Sequence, residues 1–210
     1  PLPADAGESA LLEQAVRELL IAKGVFTAAD HRAQIDLMDS RSPMAGARLV
    51  ARAWADPAFK TRLLTDAKAA ATEMGVNVSD MPEITVLENT PVLHHMVVCT
   101  LCSCYPKAIL GMSPAWYKSA AYRARAVKDP RGVLREFGTD LPHGTAVRVV
   151  DSTADLRYMV LPMRPPGTES LDESQLATLV TRDCMIGVTL PKRSEEHTSE
   201  LQSQSTISYA

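Results

Sequence analysis

Three of the four cysteines crowd into one short segment of the sequence. Cys99, Cys102 and Cys104 lie within the run VCTLCSCYP at residues 98–106, while Cys184 stands alone near the other end. Thiolates bind zinc, iron–sulfur clusters and other transition metals, and they are also the nucleophiles of disulfide exchange. The segment therefore predicts either a metal site or a thiol redox site, whereas Cys184 is typical of a small buried side chain.

The common cysteine sites fit this segment incompletely. A structural zinc site usually takes four Cys or His ligands in two separated pairs, and the second pair is missing here. Cys99 and Cys102 have the C-x-x-C spacing of a redox pair, but a third thiol follows two residues later. An iron–sulfur cluster would lack one of its cysteines. These three interpretations stay open, each with a missing or surplus ligand.

The C-x-C spacing of Cys102 and Cys104 allows a further arrangement. If both sulfurs bind one ion, the connecting peptide folds against the metal and the amides of Ser103 and Cys104 come within bonding distance. An amide nitrogen binds only after losing its proton, which favours a strongly Lewis-acidic trivalent ion such as Co(III) or Fe(III). Three sulfurs and two amide nitrogens leave one octahedral position open, and an open position is what makes a metal catalytic.

The elements that must hold this segment follow from apolar spacing and from start and stop residues. Helices are predicted over residues 8–23, 28–38, 45–54 and 56–74, with Thr27 and the Asp56-Pro57 pair as start signals. Downstream, strands are predicted at 84–87 and 96–98, a strand pair at 146–150 and 156–161, and a last strand at 185–190. Helices are expected between them at 114–127, 130–137 and 171–181. Helices first and a mixture afterwards indicate an α+β fold.

This pattern predicts three regions along the chain. Residues 1–75 form a helical N-terminal segment that packs on a partner subunit, and residues 76–192 form the metal-binding catalytic domain. Residues 193–210 are polar, rich in Ser and Thr, and without apolar periodicity. They are interpreted as a non-native or disordered tail outside the packed domain.

Composition excludes several classes of function. The 210 residues are 46% hydrophobic and 22% charged, with a net charge of -3, as in an ordinary globular protein. That charge provides no basic field for nucleic acid. No apolar run approaches the roughly 20 residues of a membrane helix, and the first residues have no signal-peptide pattern. We therefore expect a cytoplasmic protein with neither nucleic-acid nor membrane partners.

The cysteine segment resembles the metal claw of nitrile hydratase α subunits, and the resemblance extends from about Leu11 to Leu190. It also includes the segments GARLVARAWADPAFKTRLL (46–64), LENTP (87–91), LG (110–111), PAWYK (114–118), YMVLP (158–162), RPPGTE (164–169) and VTRD (180–183). The γ subunit of thiocyanate hydrolase has the same claw and fold. The resemblance implies a helical N-terminal segment followed by a layered α-β-β-α domain.

It also implies the ligands of the metal. The thiolates of Cys99, Cys102 and Cys104, with the backbone amides of Ser103 and Cys104, would hold one low-spin, non-corrin Co(III) per chain. Thr100 stands where iron-type relatives have Ser, which favours cobalt over Fe(III). In the family, the residue matching Cys102 is oxidised to the sulfinate and the residue matching Cys104 to the sulfenate.

The implied activity is hydration of a small nitrile to the corresponding amide. The metal would polarise the nitrile or supply hydroxide, the Cys104 sulfenate oxygen is a candidate nucleophile, and the Ser103 hydroxyl would orient the site. Family members act with a β subunit, as a heterodimer or heterotetramer, and receive cobalt from an activator protein. The β subunit contributes two arginines to the oxidised sulfurs; in this chain, Arg157 and Arg164 either add to them or form ion pairs at the subunit interface.

Two alternatives to a nitrile hydratase remain at this point. Lys107 stands where nitrile hydratases commonly carry Trp, and a cation in the pocket would favour an anionic substrate such as thiocyanate. A thiocyanate hydrolase γ subunit is therefore the competing enzyme. A zinc-stabilised binding module without enzymatic activity is the second alternative.

Other side chains near the claw are interpreted as structural. His94 and His95 would point to opposite faces of a strand, so they are not expected to join the metal. Trp116 and Tyr117 are expected to pack the helix that follows the claw, and Tyr105 to line the cavity.

Overall fold

The computed structural model describes residues 5–102 and 104–192, with side chains from Gly7 onward, so the predicted tail at 193–210 lies outside the described residues. The helices are α1 (Asp5–Ala22), α2 (Ala28–Ser40), α3 (Met44–Ala55), α4 (Pro57–Thr65), α5 (Ala67–Glu73), α6 (Lys107–Leu110), α7 (Ala115–Lys118), α8 (Ala120–Lys128), α9 (Pro130–Glu136), α10 (Glu173–Thr178) and α11 (Arg182–Ile186). The strands are β1 (Glu83–Glu88), β2 (Leu93–Val98), β3 (Ala146–Asp151) and β4 (Leu156–Leu161). No helix in these ranges is long and apolar enough to cross a membrane.

The first compact unit ends at Ser40 and contains α1 and α2. Thr27 begins α2 as predicted: its hydroxyl accepts the Asp30 N–H at 3.1 Å, and the Asp30 carboxylate accepts the Thr27 N–H at 2.9 Å. Helix α2 buries no residue, and Leu11 and Leu12 of α1 are 69% and 65% exposed. These helices therefore leave apolar surface uncovered in the isolated chain.

The second compact unit begins at Arg41. Helices α4 and α5 pack on β1, and α3 packs on α10 and α11. By packing, the division between units therefore falls between residues 40 and 41, whereas the sequence suggested a boundary after residue 75.

Two of the long predicted helices are each divided in two by a second N-cap. Asp66 has extended backbone and its carboxylate accepts the Ala69 N–H at 2.9 Å, so α4 ends and α5 begins there. Ser119 does the same between α7 and α8, accepting the Tyr122 N–H at 3.1 Å. A short polar side chain can accept a hydrogen bond from a backbone N–H two or three residues later in the chain. This bond stabilises the start of a new helix, so the preceding helix ends there.

The strands form two parallel pairs, β1 with β4 and β2 with β3. The sequence prediction that β3 and β4 pair with each other is wrong. The Ser152 N–H donates to the Val98 carbonyl at 2.7 Å, and the Asp155 carbonyl accepts the Glu83 N–H at 3.0 Å. The short connection between β3 and β4 therefore carries the chain from one sheet to the other instead of closing a hairpin.

Helices pack against both sheets, and α11 contacts a strand of each, β4 and β2. Helices α4, α5 and α11 pack against the β1–β4 pair, and α8 and α9 pack against the β2–β3 pair. The largest fully buried side chains include Leu49, Phe59, Met96, Met159 and Leu176. The predicted α+β class is confirmed, and the helix–sheet contacts agree with α-β-β-α layering.

The strand predicted at 185–190 does not form, which is a correction to the sequence analysis: its first two residues end helix α11 (Arg182–Ile186), and a turn follows. Thr181 caps the helix by accepting the Cys184 N–H at 3.3 Å, and Gly187 ends it with a φ of +86°. A side chain at Gly187 would collide with the His95 carbonyl, so the chain must pass β2 closely at this point. The apolar run resembles a buried strand, but the cap and the glycine determine the local structure.

Candidate metal centre

The three clustered cysteines converge in space. Cys99 follows the last residue of β2, and the chain bends at residues 100–102, beyond the end of that strand; residues 99–104 are called the claw. The Sγ atoms of Cys99 and Cys102 are 3.6 Å apart, and those of Cys102 and Cys104 are 3.3 Å apart. All three lie within 4.8 Å of one another. One ion can contact all three sulfurs at this spacing.

The thiols differ in burial, and burial affects their acidity. Cys99 is buried, Cys104 is half-buried and Cys102 is exposed. Burial, followed by hydrogen bonds to Cys102 and Cys99, raises the pKa of Cys104 to about 12, while the charge of Arg157 acts in the opposite direction. Because a thiol binds a metal as the thiolate, loading of this site must release a proton from Cys104.

The donor set fits a thiophilic transition metal. Such a metal prefers soft sulfur ligands, and this site offers three of them. The group formed by the described residues contains no histidine or carboxylate. The structure therefore supplies no fourth side chain for tetrahedral zinc in the described ranges. Ser103 lies outside the described residues, so its amide and hydroxyl remain predicted ligand and orienting groups.

Thr100 is anchored at three points by residues that the sequence analysis did not identify. The Asp151 carboxylate accepts the Thr100 N–H at 2.9 Å and also its hydroxyl, and Arg123 Nη1 donates to the Thr100 carbonyl at 3.2 Å. Asp151 ends β3 and is directly paired with Val98, the residue before Cys99. The parallel pairing of β2 and β3 thus delivers a carboxylate to the start of the claw.

An aromatic cluster contacts the C-terminal end of the claw through Tyr117 and contacts strand β2 through Tyr122. The Tyr117 hydroxyl donates to the Cys104 carbonyl at 2.9 Å, and the Tyr122 hydroxyl donates to the Val97 carbonyl at 2.6 Å. Trp116 packs edge-on against Tyr117 and Tyr122, as the packing interpretation predicted. Tyr105 is only 4% exposed, and its hydroxyl donates to the Leu110 carbonyl at 3.4 Å, so it belongs to the core.

The two histidines are engaged in a buried polar network. His94 Nε2 donates to the Gly187 carbonyl at 2.7 Å, which leaves Nδ1 to accept from the Asn89 amide at 3.0 Å. The Asn89 carbonyl oxygen accepts the His95 N–H at 2.8 Å. Burial lowers the pKa of both rings, so both are neutral at pH 7. His94 thereby joins β2 to the turn after α11, and His95 is bonded to Asn89, the residue after β1.

The other candidate residues of the sequence analysis differ in their contacts, and most of these contacts lie outside the claw. Arg157 influences Cys104 electrostatically and donates to the Thr153 carbonyl. Arg164 instead donates to the Trp54 carbonyl and to Thr168, within the fold. Lys107 is exposed at the start of α6. Cys184 is buried with its sulfur against Thr181 and Thr189, apart from the claw cysteines.

The sequence carries one weak signal for Asp151 and none for the hydrogen bonds of Tyr117 and Tyr122. Asp151 is an acidic residue directly after an apolar strand run, a common place for a functional carboxylate at the end of a parallel strand. Tyr117 and Tyr122 recur five residues apart after the claw, but only the fold shows that their hydroxyls reach backbone carbonyls at the claw and just before it.

Three converging thiols beyond a parallel strand in a layered α+β fold are the arrangement of a thiolate-liganded metalloprotein. The family model described as "Nitrile hydratase, alpha chain" matches residues 7–189. The low-molecular weight cobalt-containing nitrile hydratase subunit alpha of Rhodococcus rhodochrous is 53% identical over 192 residues, covering 90% of this chain and 92% of that protein. The chain belongs to the nitrile hydratase alpha-chain family.

One further relative and two solved structures are also similar to this chain. The thiocyanate hydrolase subunit gamma of Thiobacillus thioparus is 48% identical over 203 residues, covering 91% of this chain and 84% of that protein. A structure of recombinant thiocyanate hydrolase with partially modified cobalt centers superposes with a TM-score of 0.85 at 48% identity, over 88% of this chain and 90% of that chain. A double mutant of an Fe-type nitrile hydratase from Comamonas testosteroni gives 0.81 at 46% identity, over 88% and 92%. The family resemblance predicted from the claw is confirmed.

Proposed function

We propose that this chain is the α subunit of a cobalt nitrile hydratase, which hydrates small nitriles to amides. The observation that carries the proposal is the convergence of the Cys99, Cys102 and Cys104 sulfurs within 4.8 Å in a member of this family. The similarity to cobalt-containing relatives supports cobalt as the metal.

The claw residues would hold the metal from one side. The three sulfurs and the backbone amides of Ser103 and Cys104 are the proposed donors. When bound, a trivalent cobalt ion would supply Lewis acidity toward the nitrile. Asp151 and Arg123 fix Thr100, so the turn that presents the sulfurs is already held within this chain.

The chemical roles fall on Cys104 and Ser103. After oxidation to the sulfenate, the Cys104 oxygen would attack the nitrile carbon while the Ser103 hydroxyl orients the site. Water would then attack the sulfur and break its bond to the transferred oxygen, which restores the sulfenate and releases an imidic acid. The net change is addition of one water across the carbon–nitrogen bond, and the imidic acid tautomerises to the amide. Arg157, which already acts electrostatically on Cys104, would favour the anionic forms of the oxidised sulfurs.

A β subunit is the proposed partner, in a heterodimer or heterotetramer, and an activator protein the proposed source of cobalt. The exposed apolar side chains of α1, including Leu11, Leu12 and Leu19, support a partner contact by the helical N-terminal segment. Leu101, at the tip of the claw, is 84% exposed, which is consistent with a second chain covering the site.

Metal analysis and intact mass of the complex co-expressed with its β subunit test this proposal. We expect about one cobalt per chain and about three added oxygens on Cys102 and Cys104, together with turnover of acrylonitrile. Iron in place of cobalt would leave the claw in place and contradict the metal assignment. Tightly bound zinc with unmodified cysteines would instead identify the zinc-binding module.

Thiocyanate hydrolysis is the second candidate, favoured by the similarity to thiocyanate hydrolase subunit gamma and by Lys107. Lys107 is exposed three residues after Cys104, at the start of α6. If the cation contributes to substrate choice, Lys107→Trp should lower kcat/KM for thiocyanate relative to acrylonitrile, because attraction of the anion is lost. Initial rates with both substrates give this ratio, and Lys118→Trp, another exposed lysine, is the control. An unchanged ratio would mean that Lys107 does not contribute to substrate choice.

A further inference from the structure

We propose that Tyr117 is a positioning residue of the claw, which fixes Cys104 from the interior of the fold. Its effect on turnover rests on the proposed function, because Cys104 is the proposed nucleophile. Its effect on the geometry of the metal site rests only on the hydrogen bond from the Tyr117 hydroxyl to the Cys104 carbonyl.

Tyr117 offers a fixed hydrogen-bond donor beneath the claw. Its side chain is completely buried, and its hydroxyl donates to the Cys104 carbonyl at 2.9 Å. The ring lies edge-on between Tyr105 and Trp116, with centroid distances of 5.2 and 6.0 Å. Because neighbours hold the ring on two sides, the position of its hydroxyl is set by packing.

The position of the Cys104 carbonyl restricts the position of the backbone that carries its sulfur. The carbonyl carbon is bonded to the Cα that carries the side chain, so a hydrogen bond that holds the carbonyl limits how far Cα, and with it Sγ, can move from Cys99 and Cys102. Asp151 and Arg123 hold Thr100 at the N-terminal end of the claw. The Tyr117 hydroxyl provides the corresponding constraint at the C-terminal end, and the sulfurs are presented by a turn that is tethered at both ends.

A second buried hydroxyl lies in the same place. Ser152 is 1% exposed, and its oxygen makes no hydrogen bond of ordinary geometry with the described residues. Its backbone N–H donates to the Val98 carbonyl, beside Cys99, and its hydroxyl lies near enough to Tyr117 to affect the pKa of that phenol. Two buried hydroxyl groups, those of Tyr117 and Ser152, therefore lie close to each other in a core that is mainly apolar.

Tyr122 provides a matched control for this hypothesis. It belongs to the same aromatic cluster, is 6% exposed, and donates its hydroxyl to a backbone carbonyl, that of Val97 in β2. Removing either hydroxyl deletes one buried hydrogen bond, so both variants should lose similar thermal stability. Only Tyr117 contacts a cysteine of the claw.

The test compares Tyr117→Phe and Tyr122→Phe in the cobalt-loaded complex with the β subunit. We expect Tyr117→Phe to lower kcat about tenfold with little change in KM, the size of one lost buried hydrogen bond. It should also reduce the fraction of Cys104 that carries oxygen, measured by peptide mass, and shift the sulfur-to-cobalt absorption band. Tyr122→Phe should leave all three properties near wild type. Equal effects of the two variants, or a wild-type Tyr117→Phe, would overturn the proposal.

The experiment remains decisive if Tyr117→Phe does not assemble. Replacing Tyr117 with 3-fluorotyrosine keeps the ring and strengthens the donor, so the absorption band should shift, whereas the same replacement at Tyr122 should not shift it. The absence of a shift would contradict the proposal. A wild-type complex that binds cobalt but hydrates no nitrile would refute the proposed function, while the band and the Cys104 mass would still test Tyr117.

Discussion

Cys104→Ser is expected to abolish nitrile hydration, with kcat falling by at least about a thousandfold, as for loss of a residue central to the chemistry. The substitution removes one of three converging sulfurs and the only atom proposed to become the nucleophilic sulfenate. A serine hydroxyl cannot be oxidised in that way and is a poor ligand for a thiophilic metal. Initial rates with acrylonitrile, normalised to bound cobalt, give the measurement.

Cys184→Ser is the matched control, because it makes the same atomic change outside the claw. The Cys184 sulfur already lies 3.1 Å from the Thr181 hydroxyl and 3.4 Å from the Thr189 hydroxyl, so a serine hydroxyl finds partners there. It should retain cobalt and turnover. Activity that survives in Cys104→Ser would remove the sulfenate from the mechanism.

Asp151→Asn is expected to lower cobalt occupancy and to reduce turnover roughly tenfold. The Asp151 carboxylate accepts both the backbone N–H and the hydroxyl of Thr100, and hydrogen bonds to a charged acceptor are the stronger kind. An asparagine amide has one acceptor oxygen and presents a donor to one of those groups. The start of the claw then loses part of its anchor. Metal content and kcat of the co-expressed complex measure both consequences.

Asp155→Asn removes the same charge from the connection between β3 and β4 without touching the claw. Asp155 is exposed, and its backbone carbonyl, not its carboxylate, holds β1 through Glu83. We therefore expect wild-type metal content and rates. If Asp155→Asn and Asp151→Asn had equal effects, the loss would be due to charge alone and not to the Thr100 anchor.

The chemistry of the site was predictable because it is encoded in six consecutive residues. The spacing of Cys99, Cys102 and Cys104 restricts what their sulfurs can bind before any fold is known. Asp151 and Tyr117 have no such local signature. Asp151 reaches Thr100 only because β2 pairs with β3, and Tyr117 reaches Cys104 only because α7 packs beneath the claw.

The starts of several helices were predicted better than their lengths or the strand pairing, for one physical reason. Thr27 and Asp56 cap helices through bonds to amides two or three residues away, so local sequence is sufficient. Strand runs were found, but their partners depend on long-range packing. The connection after β3 is as short as a hairpin turn, yet it bridges two sheets.

The pairing of Val98 with Asp151 restricts how this part of the sequence can change during evolution. Thr100 and Asp151 are 51 residues apart along the chain but adjacent at one end of a ladder. A single-residue deletion within β3 would replace the carboxylate with a neighbouring side chain and reverse the faces of the strand. Insertions in the intervening loops, such as the turn before β3, would leave the pairing unchanged. We therefore expect homologues to vary in the number of residues between the claw and β3. Within β3, the number of residues before the terminal aspartate should stay constant.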